Sequence, residues 1–151
     1  MSLYTFLKFI HVLLAIVAVG FNASYGIWTA RAAKEPAHEL HVLQGIRTLD
    51  ERFANPAYVL LLVLGIAMVL ESPTLDFSTL WISLALGLYV LMALIAILAF
   101  TPTLRKQIAL LEAGEQRSEA HAALAKRSGM VGGILAVIVI AIVYLMVVKP
   151  T

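Results

Sequence analysis

Residues 77–104 read FSTLWISLALGLYVLMALIAILAFTPTL, a run of 28 residues without a charged side chain. A transmembrane helix needs about 20 apolar residues, because the bilayer hydrocarbon is about 30 Å thick and an α-helix rises about 1.5 Å per residue. This stretch is therefore long enough to cross a membrane as one helix. Trp81 near its start and Pro102 near its end are typical of the boundaries of such a span.

Three other windows are equally free of charge. They comprise 22, 18 and 21 residues and lie at Phe9–Ala30, Phe53–Leu70 and Ser128–Val148. The first is too long for the apolar core of a signal peptide and has no positive charge in the seven residues at the start, so we expect a retained span. The sequence therefore predicts an all-α integral membrane four-helix bundle, a single transmembrane domain over residues 1–151. The expected spans cover about residues 5–30, 54–71, 78–101 and 129–148.

The overall composition points to the same class of protein. Hydrophobic residues make up 62% and charged residues 13% of the chain, and the mean hydropathy is +0.94. Soluble domains average about 45–50% apolar and about 25% charged residues, so a soluble domain, a disordered chain and a nucleic-acid-binding protein are excluded. The chain has no Cys, which excludes disulfides and Cys-ligated zinc or iron–sulfur centres. The lipid bilayer is the expected partner.

The Lys and Arg residues are unevenly distributed between the loops. Nine of the eleven lie in the two long loops that follow the first and third windows, and the others are Lys8 and Lys149 at the two ends. The positive-inside rule then places the long loops in the cytoplasm and both termini outside. Leu40, Leu43 and Ile46 recur at three-residue spacing, so we expect helical cytoplasmic loops.

His11 is the only His within the four windows. An ionisable residue inside a span is a candidate functional residue, because charge is costly in the bilayer. At about 100° per residue, His11, Ala15, Ala18, Asn22 and Gly26 form one stripe of small or polar residues, which we expect to face protein. A neutral imidazole in this position can ligate haem or copper, relay protons, or hydrogen-bond to a neighbouring helix as a structural residue.

Asn22 and Lys149 are two further candidate contacts for a cofactor. Asn22 lies deep in the first span, where its amide needs partners, either on a cofactor or on a neighbouring helix. Lys149 ends the fourth span on the same side of the membrane as His11. Its ammonium group either holds an anionic group such as a haem propionate or extends to the lipid headgroups.

Small residues in the third and fourth spans predict close helix packing. Gly129 and Gly133 form a Gly-x-x-x-Gly motif at the start of the fourth span, and Ser83 and Gly87 have the same spacing in the third. Such motifs let two helix backbones approach closely. We expect the Gly129/Gly133 contact either within the bundle or between the copies of a homo-oligomer.

The remaining His residues lie outside the windows. His38 and His41 are three residues apart on a polar helix face, without the further ligands that a metal site needs. His121 lies in a charged cytoplasmic loop. We expect all three to be surface residues.

Three stretches resemble a known family. They are residues 7–15 (LKFIHVLLA), Arg52-Phe53 with Pro56 and Leu64-Gly65, and residues 144–150 (YLMVVKP). They are similar to a family of predicted bacterial integral membrane proteins, catalogued as a domain of unknown function (two-two-six-nine), and the resemblance covers the whole chain. It implies a multi-pass protein of the bacterial inner membrane.

The opening Lys8-x-x-His11 also resembles two wider groups, the membrane domain of copper-resistance protein D and the haem-associated J-type protoporphyrinogen oxidase. This resemblance implies a helical bundle with a functional His at position 11. The oxidase pairs its His with an intramembrane Lys, whereas Lys149 lies at the end of a span. A copper carrier would also have more His and Met residues than this chain.

Together these features predict a protein that binds haem b, or a metal, through His11, with Asn22 and Lys149 as further cofactor contacts. An electron-transfer or oxidoreductase role would follow. Since the spans contain one His, the iron would be five-coordinate, take a Met or Lys as sixth ligand, or be shared by two copies of the chain. The alternatives are a non-enzymatic scaffold or assembly factor in which His11 is structural, and a copper transporter.

Overall fold

The computed structural model describes residues 2–150, which form four long helices. Two of these helices are interrupted by a short π-helical turn. In chain order the elements are α1 (Leu3–Ala32); α2 (Pro36–Leu49), a first π turn (Asp50–Ala54) and α3 (Asn55–Glu71); α4 (Leu80–Ile95), a second π turn (Ala96–Phe100) and α5 (Thr101–Glu112); and α6 (Glu119–Val148).

The all-α prediction is confirmed. No strand occurs among residues 2–150, and all four long helices are long and apolar enough to cross a membrane. Many of their large apolar side chains are exposed on the isolated chain, among them Ile27, Leu98 and Val137, as expected for helices that contact lipid. The predicted helical loops are also confirmed, because α2 and α5 continue beyond the expected spans. The membrane boundaries of the spans stay a prediction.

Each π turn ends two residues before a proline, at Pro56 and Pro102. Proline has no backbone N–H, and its ring clashes with the carbonyl four residues earlier. The helix therefore widens just before each proline. The Asn55 N–H donates to the Asp50 carbonyl, five residues earlier, and the Thr101 N–H donates to the Ala96 carbonyl. Pro102, the expected boundary of the third span, thus lies inside a continuous helix.

The bundle consists of two halves. Helix α1 packs against α2 and α3, and α6 packs against α4 and α5. The halves meet where α1 contacts α6 and where α2 contacts α5, whereas α3 and α4 make no close backbone contact in the described chain. The register of α2 against α5 is antiparallel. It is set by the Gln44 amide, which donates to Glu112 (3.1 Å), and by Arg105, which lies 3.2 Å from Glu51.

Most residues of the larger apolar core lie beyond the expected membrane spans. It is formed where the C-terminal half of α1 meets α2 and α5, and its buried residues are Tyr25, Leu43, Ile46, Leu104, Ile108 and Leu111. A smaller cluster of Ala18, Ala57 and Leu61 lies at the interface of α1 and α3. Helices α2 and α5, which lie beyond the expected spans, therefore contribute much of the packing that holds the two halves together.

The expectations for several small residues are wrong. Gly26 is exposed, although the predicted stripe places it against protein, and Ser83 and Gly87 are exposed as well. A Cβ added at Gly129 or Gly133 would meet no atom within 4 Å, so neither glycine makes a close helix contact within the described chain.

Gly129 and Gly133 make no such contact because α6 turns a different face toward its neighbours. Its buried apolar residues in the membrane half are Ile138 and Leu145. At about 100° per residue, Gly129 and Gly133 lie on the opposite side of the helix. A contact within the bundle is thus excluded for the described chain, and a contact between copies stays a prediction.

The expectation of a surface position is also wrong for His121. Its side chain is buried, and its Nε2 lies 3.1 Å from Oε1 of Glu39 on α2. His121 is in the first turn of α6, where its backbone N–H donates to the Ser118 side chain. His38 and His41 are exposed, as expected. The polar sequence around His121 conceals its burial, because the covering residues come from α2.

Candidate functional site

Helix α1 presents His11 to α3, as the helix-face prediction requires. A Cβ added at Gly65 of α3 would lie 3.4 Å from His11 Cε1 and 3.9 Å from Nδ1. The imidazole therefore packs directly on the helix backbone at Gly65. A methyl group would just fit at this distance, whereas any larger side chain would occupy the space of the ring. Two of the three stretches that carry the family resemblance thus meet at this contact.

The surroundings of the His11 ring fit a ligand. Leu61, one helical turn before Gly65, is buried in the α1–α3 interface. The Nδ1 atom is buried and has no hydrogen-bond partner among residues 2–150. An imidazole nitrogen without a partner has the donor chemistry of one axial ligand of a haem iron.

The predicted stripe of small and polar residues on α1 faces α3 from His11 to Asn22, whereas Gly26 is exposed. Ala18 is fully buried and packs with Ala57 and Leu61. The side-chain amide of Asn22 donates to the Tyr58 hydroxyl of α3 and to the Ala18 carbonyl of its own helix. Asn22 thus joins α1 to α3. Of the two roles expected for its amide, this structure shows the hydrogen bond to a neighbouring helix.

Two tyrosines extend this connection to a third helix. The Tyr89 hydroxyl of α4 donates to the Tyr58 backbone carbonyl, and the two rings meet edge to face with their centroids 6.3 Å apart. Neither tyrosine is among the candidates predicted from the sequence. The signal that points to them is a phenol hydroxyl inside an apolar span, since such a group needs a hydrogen-bond partner.

Lys149 lies in the other half of the bundle. Its ammonium nitrogen is 5.5 Å from the centroid of the Trp81 ring of α4, a cation–π contact at the expected outer boundary of the membrane. His11 and Asn22 both contact α3, and no hydrogen bond joins the three residues in the described chain. The structure thus does not bring the three predicted cofactor contacts together in one cluster.

A second polar region lies where α1 meets the first π turn. Asp50 is only 7% exposed, and the Asn55 side chain donates to its Oδ2 (3.2 Å). Tyr25 is also buried, on the part of the bundle where α1 packs against this π turn. Asp50 is not among the candidates predicted from the sequence, because it is followed by the exposed Glu51 and Arg52, a pattern typical of a solvated face.

No group of three or more His, Cys, Asp or Glu side chains that could hold a metal ion occurs among residues 2–150. A haem differs from a bare metal ion in this respect, because the porphyrin supplies four of the iron ligands and the protein supplies one or two. The single His11 imidazole therefore meets the minimum requirement of a haem.

Comparisons with known proteins agree with the architecture. A family model described as "Predicted integral membrane protein (DUF2269)" matches residues 5–150. No curated protein and no solved structure matches the chain. The wider resemblance to copper-resistance protein D and to the J-type oxidase stays a prediction. Because the family match extends over nearly the whole chain and the fold has four helices fit to cross a membrane, the protein belongs to the DUF2269 family of integral membrane proteins.

Proposed function

We propose that this integral membrane protein binds haem b through His11 and takes part in electron transfer or another oxidation–reduction reaction. The observation that carries the proposal is the buried Nδ1 of His11, which has no hydrogen-bond partner among residues 2–150. A buried acceptor without a partner costs about 1–3 kcal/mol, a cost that coordination to a metal removes. When bound, haem b supplies one-electron redox chemistry.

Neighbouring residues of the chain hold the His11 imidazole in place. The bare backbone at Gly65 gives the His11 ring its position between α1 and α3. Asn22 keeps the two helices in register through its bond to Tyr58. In this proposal Asn22 supports the site through this helix contact, and the exposed ammonium of Lys149 is available to an anionic propionate.

The visible spectrum of the protein tests this proposal directly. We expect protein purified in mild detergent, from cells supplied with a haem precursor, to show a Soret band and to change its spectrum on reduction with dithionite. The pyridine haemochrome assay then gives the haem type and the ratio of haem to protein. A colourless, folded protein would contradict the proposal.

The second candidate function is a scaffold or assembly factor without a cofactor. Its support is the chain of hydrogen bonds in which Asn22, Tyr58 and Tyr89 tie three helices together, beside a His11 ring packed on Gly65. Such contacts stabilise a bundle whether or not a cofactor binds. The copper-transporter alternative has no observation of this kind in its favour, and metal analysis of the same purified sample tests it.

We further propose that the protein lies in the bacterial inner membrane with both termini outside. The support is the charge distribution, with nine of eleven Lys and Arg residues in the two long connecting segments. A C-terminal alkaline phosphatase fusion should be active and a C-terminal GFP fusion dark, because the phosphatase folds only outside the cytoplasm. A phosphatase fusion after Glu115 serves as the inactive control. The opposite pattern would overturn the orientation.

The Gly129/Gly133 face is the proposed contact between copies of the chain. Both glycines point away from the bundle and have open space around them, so a second α6 can approach closely there. We expect Gly133→Leu to shift the protein toward the monomer by about tenfold in dimer affinity, which corresponds to ~1.4 kcal/mol. Light scattering in mild detergent measures this, and Gly87→Leu, at an exposed glycine of α4, is the control. A monomeric wild-type protein would speak against the contact.

A further inference from the structure

Three deeply buried polar side chains lie on the elements that surround the larger apolar core. Asp50 is 7% exposed, Tyr25 5% and Gln107 1%. The Tyr25 hydroxyl and Gln107 Oε1 have no hydrogen-bond partner in the described chain. Buried polar atoms of this kind are rare in folded proteins, and each calls for an explanation such as an ordered water or an ion. We call these three residues the Asp50 cluster.

The fold brings the three members of the cluster to one level of the bundle. Helix α1, which carries Tyr25, packs directly against the π turn that carries Asp50. The contacts of Gln44 with Glu112 and of Glu51 with Arg105 set the register of α2 and α5, and this register places Gln107 level with Asp50.

The apolar residues next to Gln107 and Asp50 also place the two side chains at the same core. Leu104 and Ile108, on either side of Gln107, belong to the same packed core as Tyr25 and Ile46. Ile46 lies one helical turn before Asp50. Tyr25 of α1, Asp50 of the π turn and Gln107 of α5 therefore all border this core.

The basic side chains nearby do not neutralise the Asp50 carboxylate. Arg47 and Arg105 both bind the carboxylate of Glu51, at 2.9 Å and 3.2 Å. Arg52 is exposed. Asp50 itself accepts a hydrogen bond from Asn55 and forms no ion pair among the described residues. The Asp50 carboxyl group and two neutral oxygen atoms thus remain in a buried, largely apolar setting, and this burial raises the pKa of the carboxyl group.

We propose that the Asp50 cluster binds a small monovalent cation such as sodium. Hard cations prefer oxygen ligands, and the cluster offers a carboxylate, a phenol and an amide oxygen. A single carboxylate balances a single positive charge, whereas a divalent ion would stay half compensated. The binding of the ion would connect α1, the π turn and α5. The proposal does not depend on haem binding.

The test is the thermal unfolding of the full-length protein in detergent at constant pH. The unfolding temperature is measured as sodium chloride replaces choline chloride at constant ionic strength. We expect a saturable rise with sodium, because an ion that binds only the folded state stabilises it. Asp50→Asn should weaken the apparent sodium affinity by about tenfold or more. Asp76→Asn, at an exposed carboxylate of the loop between α3 and α4, should leave the affinity unchanged.

Equal unfolding temperatures in the two salts, or an unchanged sodium response in Asp50→Asn, would overturn the proposal and assign the cluster to water. If Asp50→Asn does not fold, Tyr25→Phe decides the question. In a cation site this variant loses a ligand and responds more weakly to sodium. In a site without a cation it removes an unsatisfied hydroxyl and raises the unfolding temperature equally in both salts. Neither result depends on the colour of the protein.

Discussion

His11→Ala is expected to lose the Soret absorbance of the purified protein completely, while the protein still inserts into the membrane and stays folded. The physical reason is that His11 is the only His in any expected span, so no other imidazole there can replace it as iron ligand. The ring packs on Gly65 at the edge of α3, and Asn22 still ties α1 to α3 in its absence. The variant should therefore separate loss of the ligand from loss of the fold.

Two further variants make this result specific. His11→Gln keeps a polar side chain of similar size and should also be colourless, because an amide is a poor iron ligand. His41→Ala removes an exposed imidazole of α2 and should keep the wild-type spectrum. The ratio of Soret to protein absorbance, measured after size-exclusion chromatography, is the readout. An unaltered Soret band in His11→Ala would assign His11 to the structural alternative.

Gly65→Leu is expected to destabilise the protein by about 1–3 kcal/mol, the usual cost of inserting a large side chain into a packed site. Even the first carbon of a side chain at Gly65 would lie 3.4 Å from the His11 ring. The additional atoms of Leu must push the imidazole away from α3 or separate α1 from α3. We therefore expect a lower unfolding temperature and, in a haem-loaded protein, a weaker or shifted Soret band.

The size of the substituent gives this prediction its internal control. Gly65→Ala adds only the carbon that fits in ordinary contact, so its unfolding temperature should stay close to that of the wild type. Gly87→Leu places the same large side chain at an exposed glycine of α4, where nothing lies within 4 Å of an added Cβ. If Gly65→Leu and Gly87→Leu unfold at the same temperature, His11 and Gly65 do not form the contact described above.

The four long helices could be predicted from the sequence because each signal is local. A run of about 20 residues without charge favours a membrane span whatever its neighbours are, since the cost of burying charge in hydrocarbon arises residue by residue. The protein-facing position of His11, Ala18 and Asn22 was predictable for a similar reason. Helical periodicity alone determines which residues share a face, and small and polar residues mark the face that avoids lipid.

Which residues pack against each helix face was decided only by the tertiary structure. The sequence marks Gly65 only as part of a stretch that resembles the family, and the packing of α1 on α3 places it against His11. Asp50 follows a polar helix face, yet it is buried where α1 packs against the π turn. Conversely, Gly129 and Gly133 have the spacing of a packing motif but point outward. These outcomes follow from the register and rotation of whole helices, which result from the sum of many weak contacts between distant parts of the chain, and no local pattern contains that sum.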